Sequence, residues 1–439
     1  MNCALALLHG CSGFFPDPRH ENPTFIFART VPDPNAEGNP PTPLVPDWHL
    51  MKTGGSQVVA NPIVDVANGT WRIEVRNVGN LPGDLRKPPP PSYQRGMGYS
   101  LFTAKLGPRG EVLAQGRPID GDWIKAAAQA GKMGSVLYAV AYKTSQGLQF
   151  RPPTPADLEA LRAAEDELER LRPEWERKDI LPSEDFPEVT TDIRPRLYGM
   201  CNWVDLFTPR QLLAMGVLVE ELRRLRPEII AAEGGELGNA VAHLLAFGID
   251  KFLNHNCNQT RFENTRGVIK GKMDRHDYAF KTTFAEMAAC GAGAGLHWAL
   301  TNVIEAYEDI CKLVQRGAAI TITQGSATQL VHLEDKSIAA VVVDPPYDDN
   351  VQYSELADFF YVWLKRTLGK YHRPEWFSTY LCDHSAEAVV NHVRHMSDGL
   401  KPAVAKECGC TISARLVTVW QTRREAAGLG NMMFYLLRY

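Results

Sequence analysis

Four consecutive residues, Asp344-Pro345-Pro346-Tyr347, have the types and order to do chemistry on the exocyclic amine of a nucleobase. Such an amine is a weak nucleophile because its lone pair is delocalised into the ring. Acceptors around its N–H groups, here the Asp344 carboxylate and the Pro345 carbonyl, favour a more tetrahedral nitrogen and release that pair. Tyr347 offers an aromatic face for a base taken out of its duplex, as base-modifying enzymes require. The plainer reading is a strand followed by an ordinary Pro-Pro turn.

The elements that must position these groups are legible on both sides. Residues 338–343 form a continuous apolar run, the pattern of a strand buried on both faces of a parallel sheet. Pro345 and Pro346 lack an N–H and fix their own φ, so the strand stops there, and Pro345 holds Asp344 extended. The result is a rigid ledge at the carboxyl end of a strand, where open α/β sheets bind ligands. Residues 318–323 read as the preceding strand, followed by Gly325 and Ser326, which read equally as a simple turn or as the place where a doubly wound sheet contacts a bound nucleoside. After the ledge, Leu356, Phe359, Phe360, Trp363, Leu364 and Leu368 recur at helical spacing, with Lys365 and Arg366 in the last turn and Gly369 past the end. That helix is expected from about Tyr353 to Leu368 and holds the ledge against its sheet.

The totals bound the class. The chain has 439 residues, 44% hydrophobic and 22% charged, with a net charge of −4. That suits a globular protein of several domains. No apolar run approaches the ~20 residues of a membrane span. Met1–Leu8 lacks the basic start of a signal peptide, and nine scattered cysteines suit a reducing cytoplasm. The mild acidity excludes a broad basic surface, so any nucleic-acid contact is a local patch.

Three segments follow from the patterning. Residues 1–150 read as a small, loopy, β-rich module, with strands at 24–29, 70–76, 99–104 and 135–142, and a helical turn at 122–130. Pro88–Pro91 reads as a stiff linker or exposed loop. Residues 151–316 read as helical. Thr154-Pro155-Ala156-Asp157 and Thr208-Pro209-Arg210-Gln211 share one start grammar: a Thr cap, Pro at the first position and an acceptor three residues on. The first helix is expected to reach about Leu171 with Leu158, Leu161, Leu168 and Leu171 on one side. The second is expected to stop at Pro227. Further helices fit 236–254 and 298–314, and residues 281–289 also look helical. That makes Gly291-Ala292-Gly293-Ala294-Gly295 a flexible connection, since a cofactor loop follows a strand. His243, His255, His276 and His297 have no ligand-like spacing, and no metal is expected. Residues 317–439 read as strand, turn and strand followed by the helix, with a further strand at 411–420.

With these residues in view, the chain resembles the prokaryotic adenine-specific DNA methylases that carry a zinc-ribbon-like insertion and an N-terminal domain of unknown function. Phe27-Ala28-Arg29-Thr30-Val31 followed by Pro43-Leu44-Val45-Pro46 is similar to the ribbon region. Tyr198-Gly199-Met200 followed by Asp205 to Leu213, residues 280–287, and Asp344 through Asn350-Val351 to Tyr353–Leu364 carry the rest. The resemblance implies a Rossmann-like methyltransferase sheet, S-adenosylmethionine as cofactor and DNA adenine as substrate. It makes Asp344, Pro345, Pro346 and Tyr347 catalytic. Asn350 and Tyr353 are further candidates for the substrate, and Gly325 and Ser326 for the cofactor. The ribbon's cysteine ligands are absent. The family's acid-Pro-Phe-Ala-Gly-Gly-Gly loop is not reproduced in Met1–Pro18. The expectation is therefore an α/β protein with a partial Rossmann-like sheet, preceded by a helical region and a β-rich module. A second polypeptide supplying the cofactor loop is a possible partner. The other reading is a catalytically incomplete DNA-binding or scaffold subunit of a restriction or phage-defence system.

Overall fold

A computed structural model describes residues 14–15, 23–53, 56–81, 86–190, 192–291, 294–314, 333–334, 337–338, 351, 353–369 and 374–384. The architecture is mixed α/β, and every strand pairing among these residues is antiparallel. The Rossmann-like sheet is thus not part of the described structure. Its expected strands at 318–323 and 338–343, apart from Ile338, and the one at 411–420 lie outside the described residues.

The central strand is β1 (Thr24–Pro32), with β2 (Pro41–Pro43) paired to its end. A second sheet is a meander of β3 (His49–Thr53), β4 (Ser56–Asp65) and β5 (Thr70–Asn77). After helix α1 (Gly121–Gln129), the hairpin β6 (Gly134–Thr144) and β7 (Gly147–Arg151) adds to one edge of β1. Hairpin β8 (Arg261–Glu263) and β9 (Val268–Lys270) follows much later, and β10 (Thr283–Met287) closes the other edge of β1. The order across the sheet is β7-β6-β1-β10.

Strand β1 is buried on both faces, although its neighbours are antiparallel. Phe25 and Phe27 face Leu137, Val140 and Phe284, while Ile26 and Ala28 face Trp48, Leu50, Val58, Ile73 and Tyr138. The register slips between Ile26 and Phe27, which pair with Ala139 and Leu137 and leave Tyr138 as a bulge. The extra residue lets Tyr138 and Ala139 both point into the inter-sheet core. Pro89 is buried and Trp48 Nε1 donates to the Pro90 carbonyl at 3.0 Å, so the proline run is docked on this module rather than linking it to another.

The helices build the largest core. Helix α2 (Pro155–Arg177) starts on the expected Thr154–Asp157 capping box. Its buried face is Ala160, Ala164, Leu168 and Trp175, while Leu158 is exposed. The small alanines let α2 lie close to α3 (Pro209–Glu233), and Trp175 fills the space over Gly216. Helix α3 runs through Pro227 instead of stopping there. Burial of Leu225 and Ile229 in the core offsets the ~3 kcal/mol that an interior proline costs. Helix α4 (Gly235–Leu253), α5 (Gly295–Val314) and α6 (Tyr353–Leu364) complete the bundle, and α6 widens into a π-helical turn at Lys365–Gly369.

Residues 283–287 are strand β10, not the expected helix. Thr282, Thr283 and Phe284 suit a strand, and Phe284 stacks on its cross-strand partner Phe27 at 5.2 Å. No described helix is long and apolar enough to cross a membrane.

Candidate active site

Asp344, Pro345, Pro346, Tyr347 and Asn350 lie outside the described residues, as do Gly325 and Ser326. Tyr353 is described: it is half-buried and is the first residue of α6. The nearest structure downstream of the ledge is therefore the first turn of α6, and the surrounding elements fix it on several sides.

On one side stands Tyr278, fully buried, whose hydroxyl donates to the Glu355 main-chain oxygen at 2.7 Å. Burial pushes this phenol well above its ordinary range, and the nearby Asp358 and Glu355 carboxylates push the same way. It is a permanent donor. Its own amide donates to Asp192 at 2.6 Å, and Arg194 grips the same carboxylate with Nε and Nη2, each at 2.6 Å. Burial raises the Asp192 carboxyl, but the Arg194 guanidinium and the Tyr278 amide outweigh it and hold it below the ordinary range. The Lys272 ammonium sits 3.9 Å from the Tyr278 ring centroid and donates to the Asp277 carbonyl at 2.9 Å. Burial lowers it to about 8. Phe186 and Trp203 wall the ring with edge contacts at 5.1 and 6.0 Å.

The apolar side of α6 is held by Phe207, stacked on Phe359 at 6.2 Å and edge-on to Trp363 at 5.5 Å. At its C-terminal end the buried Arg366 reaches Glu184 at 2.9 Å and Asp179 at 2.9 Å, and Lys365 joins Glu184 at 3.0 Å. Along its length, the buried Asp358 accepts from the Cys382 amide at 2.8 Å and lies 2.9 Å from His384 Nε2. Arg366, Glu184 and Asp358 are buried, and these contacts hold the helix in place.

Several described stretches of the resemblance contact one another. Arg29 of β1 donates to the Lys281 carbonyl at 3.2 Å, and its guanidinium lies 5.7 Å from both the Phe280 and Phe284 rings. Tyr198 stacks on Phe280 at 3.6 Å, and the Arg29 carbonyl accepts from Leu44 at 2.8 Å. Asp205 caps the turn before α3 by accepting from the amides of Cys201 at 2.9 Å and Asn202 at 2.8 Å. Thr208 and Gln211 form a capping box, and Arg210 pairs with Glu286 of β10. Sequence reasoning did not single out Asp192, Lys272 or Tyr278. Their pattern carries no motif: Asp192 and Tyr278 meet across 86 residues, and Tyr278 reaches Glu355 across 77.

Where it is described, the Gly291–Gly295 segment is not open as a cradle for S-adenosylmethionine. Strand β10 precedes the Gly291–Gly295 segment and α5 follows it, the order a cofactor loop has. Yet the amides of Gly291 and Ala294 bond to the carbonyls of Ala288 and Gly291, and that of Leu296 bonds to Ala289. A Cβ at Gly295, φ +57°, would run into the Ala288 and Ala289 carbonyls. These described glycines close a tight turn; Ala292 and Gly293 lie outside the described residues. Among the described residues no group of three or more His, Cys, Asp or Glu could hold a metal ion. Comparison of the chain with protein-family models, with curated proteins and with solved structures finds no match to any of them.

Proposed function

We propose that this chain is an S-adenosylmethionine-dependent DNA adenine amino-methyltransferase, or the base-handling piece of one. The observation that carries the reading is the anchoring of α6. The helix that follows Asp344–Tyr347 in the chain is gripped by Tyr278, Phe207 and the Glu184–Arg366 pair. A reacting amine needs acceptors fixed to within a fraction of an ångström, and such rigidity has to come from packed supporting groups. In this reading S-adenosylmethionine supplies the methyl group. Asp344 and the Pro345 carbonyl accept from the adenine amine, Tyr347 stacks on the flipped base, and Asn350 and Tyr353 border it. No strong base is needed, since the amine's proton leaves after transfer. Substitution Asp344→Ala is expected to abolish incorporation of labelled methyl groups into DNA while leaving the melting temperature and circular dichroism spectrum nearly unchanged. Full activity in that variant would overturn the assignment.

A catalytically incomplete DNA-binding or scaffold subunit is the second reading. In its favour, every pairing among the described strands is antiparallel, and the described glycines of the 291–295 segment close a tight turn. Calorimetric titration with S-adenosylmethionine separates the two. Binding by the chain alone supports the enzyme; binding only after a second polypeptide is added supports a split one.

A further inference from the structure

Residues 261–281 carry a local excess of basic residues. Arg261, Arg266, Lys270, Lys272, Arg275 and Lys281 stand there against Glu263, Asp274 and Asp277, in a protein whose total is −4. The acids on this face are already committed. Asp274 pairs with Arg261 at 2.8 Å and Lys270 at 3.5 Å, Glu263 with Lys270 at 3.6 Å, and Asp277 with Arg194 at 3.3 Å. Asp192 is held by Arg194 at 2.6 Å. Among the described residues no acid pairs with Arg275, His276 or Lys281; the first two are exposed and Lys281 is half-buried.

These cations are close enough to repel one another. Burial lowers the Lys281 ammonium from its ordinary range, and Arg275, Arg261 and Arg194 add to that effect against the pull of Asp277. An anion placed on this face relieves the repulsion. The adjacent surface carries the half-buried Tyr198–Phe280 stack, and a basic face beside aromatic rings is the composition of a nucleic-acid contact. The loop is also tied to the candidate site, because Tyr278, between Arg275 and Lys281, bonds to the first turn of α6.

We propose that Arg275, His276 and Lys281, flanked by Arg194 and Arg261, form the surface that grips the sugar-phosphate backbone of duplex DNA. This rests on the methyltransferase reading only for the choice of DNA as the occupant. Arg194 and Arg261, each tied to an acid, set the orientation of the face, while Arg275 and Lys281 supply the free charge.

The test is binding of a labelled duplex by fluorescence anisotropy across a salt series, with no cofactor present. Against the unaltered chain stand Arg275→Ala, the double variant Arg275→Glu/Lys281→Glu, and Lys105→Glu as an exposed cation elsewhere. The double variant is expected to bind at least about ten-fold more weakly, with the slope of log affinity against log salt smaller by about two, since each phosphate contact contributes about 0.9. Arg275→Ala, at an exposed position, is expected to reduce the slope by about one. Lys105→Glu is expected to bind as the unaltered chain does. Unchanged affinity and slope in Arg275→Ala and the double variant overturn the proposal, as does absence of duplex binding by the unaltered chain. Patch-dependent binding without methyl transfer upholds the surface and removes the methyltransferase. Methyl transfer with patch-independent binding does the reverse.

Discussion

Arg210 Nε and Glu286 Oε1 lie 2.5 Å apart with both residues buried, joining the first turn of α3 to the end of β10. Arg210 also donates to the Phe14 carbonyl at 3.2 Å and lies over the rings of Phe15 and Phe25 at 4.7 and 4.2 Å. Burial raises the Glu286 carboxyl above its ordinary range, against the opposing pull of Arg210 and Thr208. Removing one partner strands the other charge away from water. Arg210→Met or Glu286→Leu alone is expected to cost about 3–5 kcal/mol, and the double variant far less than their sum. Urea unfolding of all four proteins measures the coupling, and additive losses would show that the pair is not one unit.

Tyr278→Phe removes the hydroxyl from Glu355 and keeps the ring. The loss of one buried hydrogen bond is expected to cost about 1–2 kcal/mol in urea unfolding. If α6 positions the ledge, methyl transfer falls at saturating DNA while duplex affinity stays the same. A weakened affinity with unchanged turnover would instead place Tyr278 in DNA binding.

His255 gives a pH dependence with a definite sign. Burial lowers its imidazole to about 4, and the ring meets Trp298 edge-on at 4.9 Å. An imidazole in the unfolded chain titrates near 6.5. Between those values the unfolded state binds the extra proton, so the contribution of His255 is complete above about pH 6.5 and is lost as pH falls toward 4. The melting temperature is expected to drop through that window, and His255→Asn to flatten the drop. An equal slope in the variant would assign the effect elsewhere.

Local signals in the sequence were reliable where the chain closes its own hydrogen bonds. Both Thr-Pro starts gave capping boxes, and the strand patterns at 24–29 and 70–76 lie within β1 and β5. They misled where a distant partner decides. Ala285, Glu286, Met287, Ala288 and Ala289 favour a helix in isolation, yet pairing with β1 makes residues 283–287 a strand. Pro227 reads as a stop, but α3 continues because the turns beyond it are packed. Of the leucines expected on one face of α2, Leu168 is buried, Leu161 and Leu171 pack against the core and Leu158 is exposed, while Ala160 and Ala164 complete the buried face. Of the candidate site, the sequence points to Asp344–Tyr347, which lie outside the described residues, while Asp192 and Tyr278 beside α6 carry no signal in it. A buried side chain whose partner lies 77 or 86 residues away leaves no local pattern.

Strand β1 also sets an order of events during synthesis. Its side chain Arg29 meets its partner Lys281 across a sequence separation of 252 residues. A ribosome therefore releases β1 long before β10 exists, and until then one edge of the central strand has unpaired amides and carbonyls. Closing so long a loop is slow, and an open apolar edge is a template for pairing with other chains. A nascent chain cut short after α2 carries that edge permanently, so the N-terminal strands are expected to aggregate when expressed without residues 283–287.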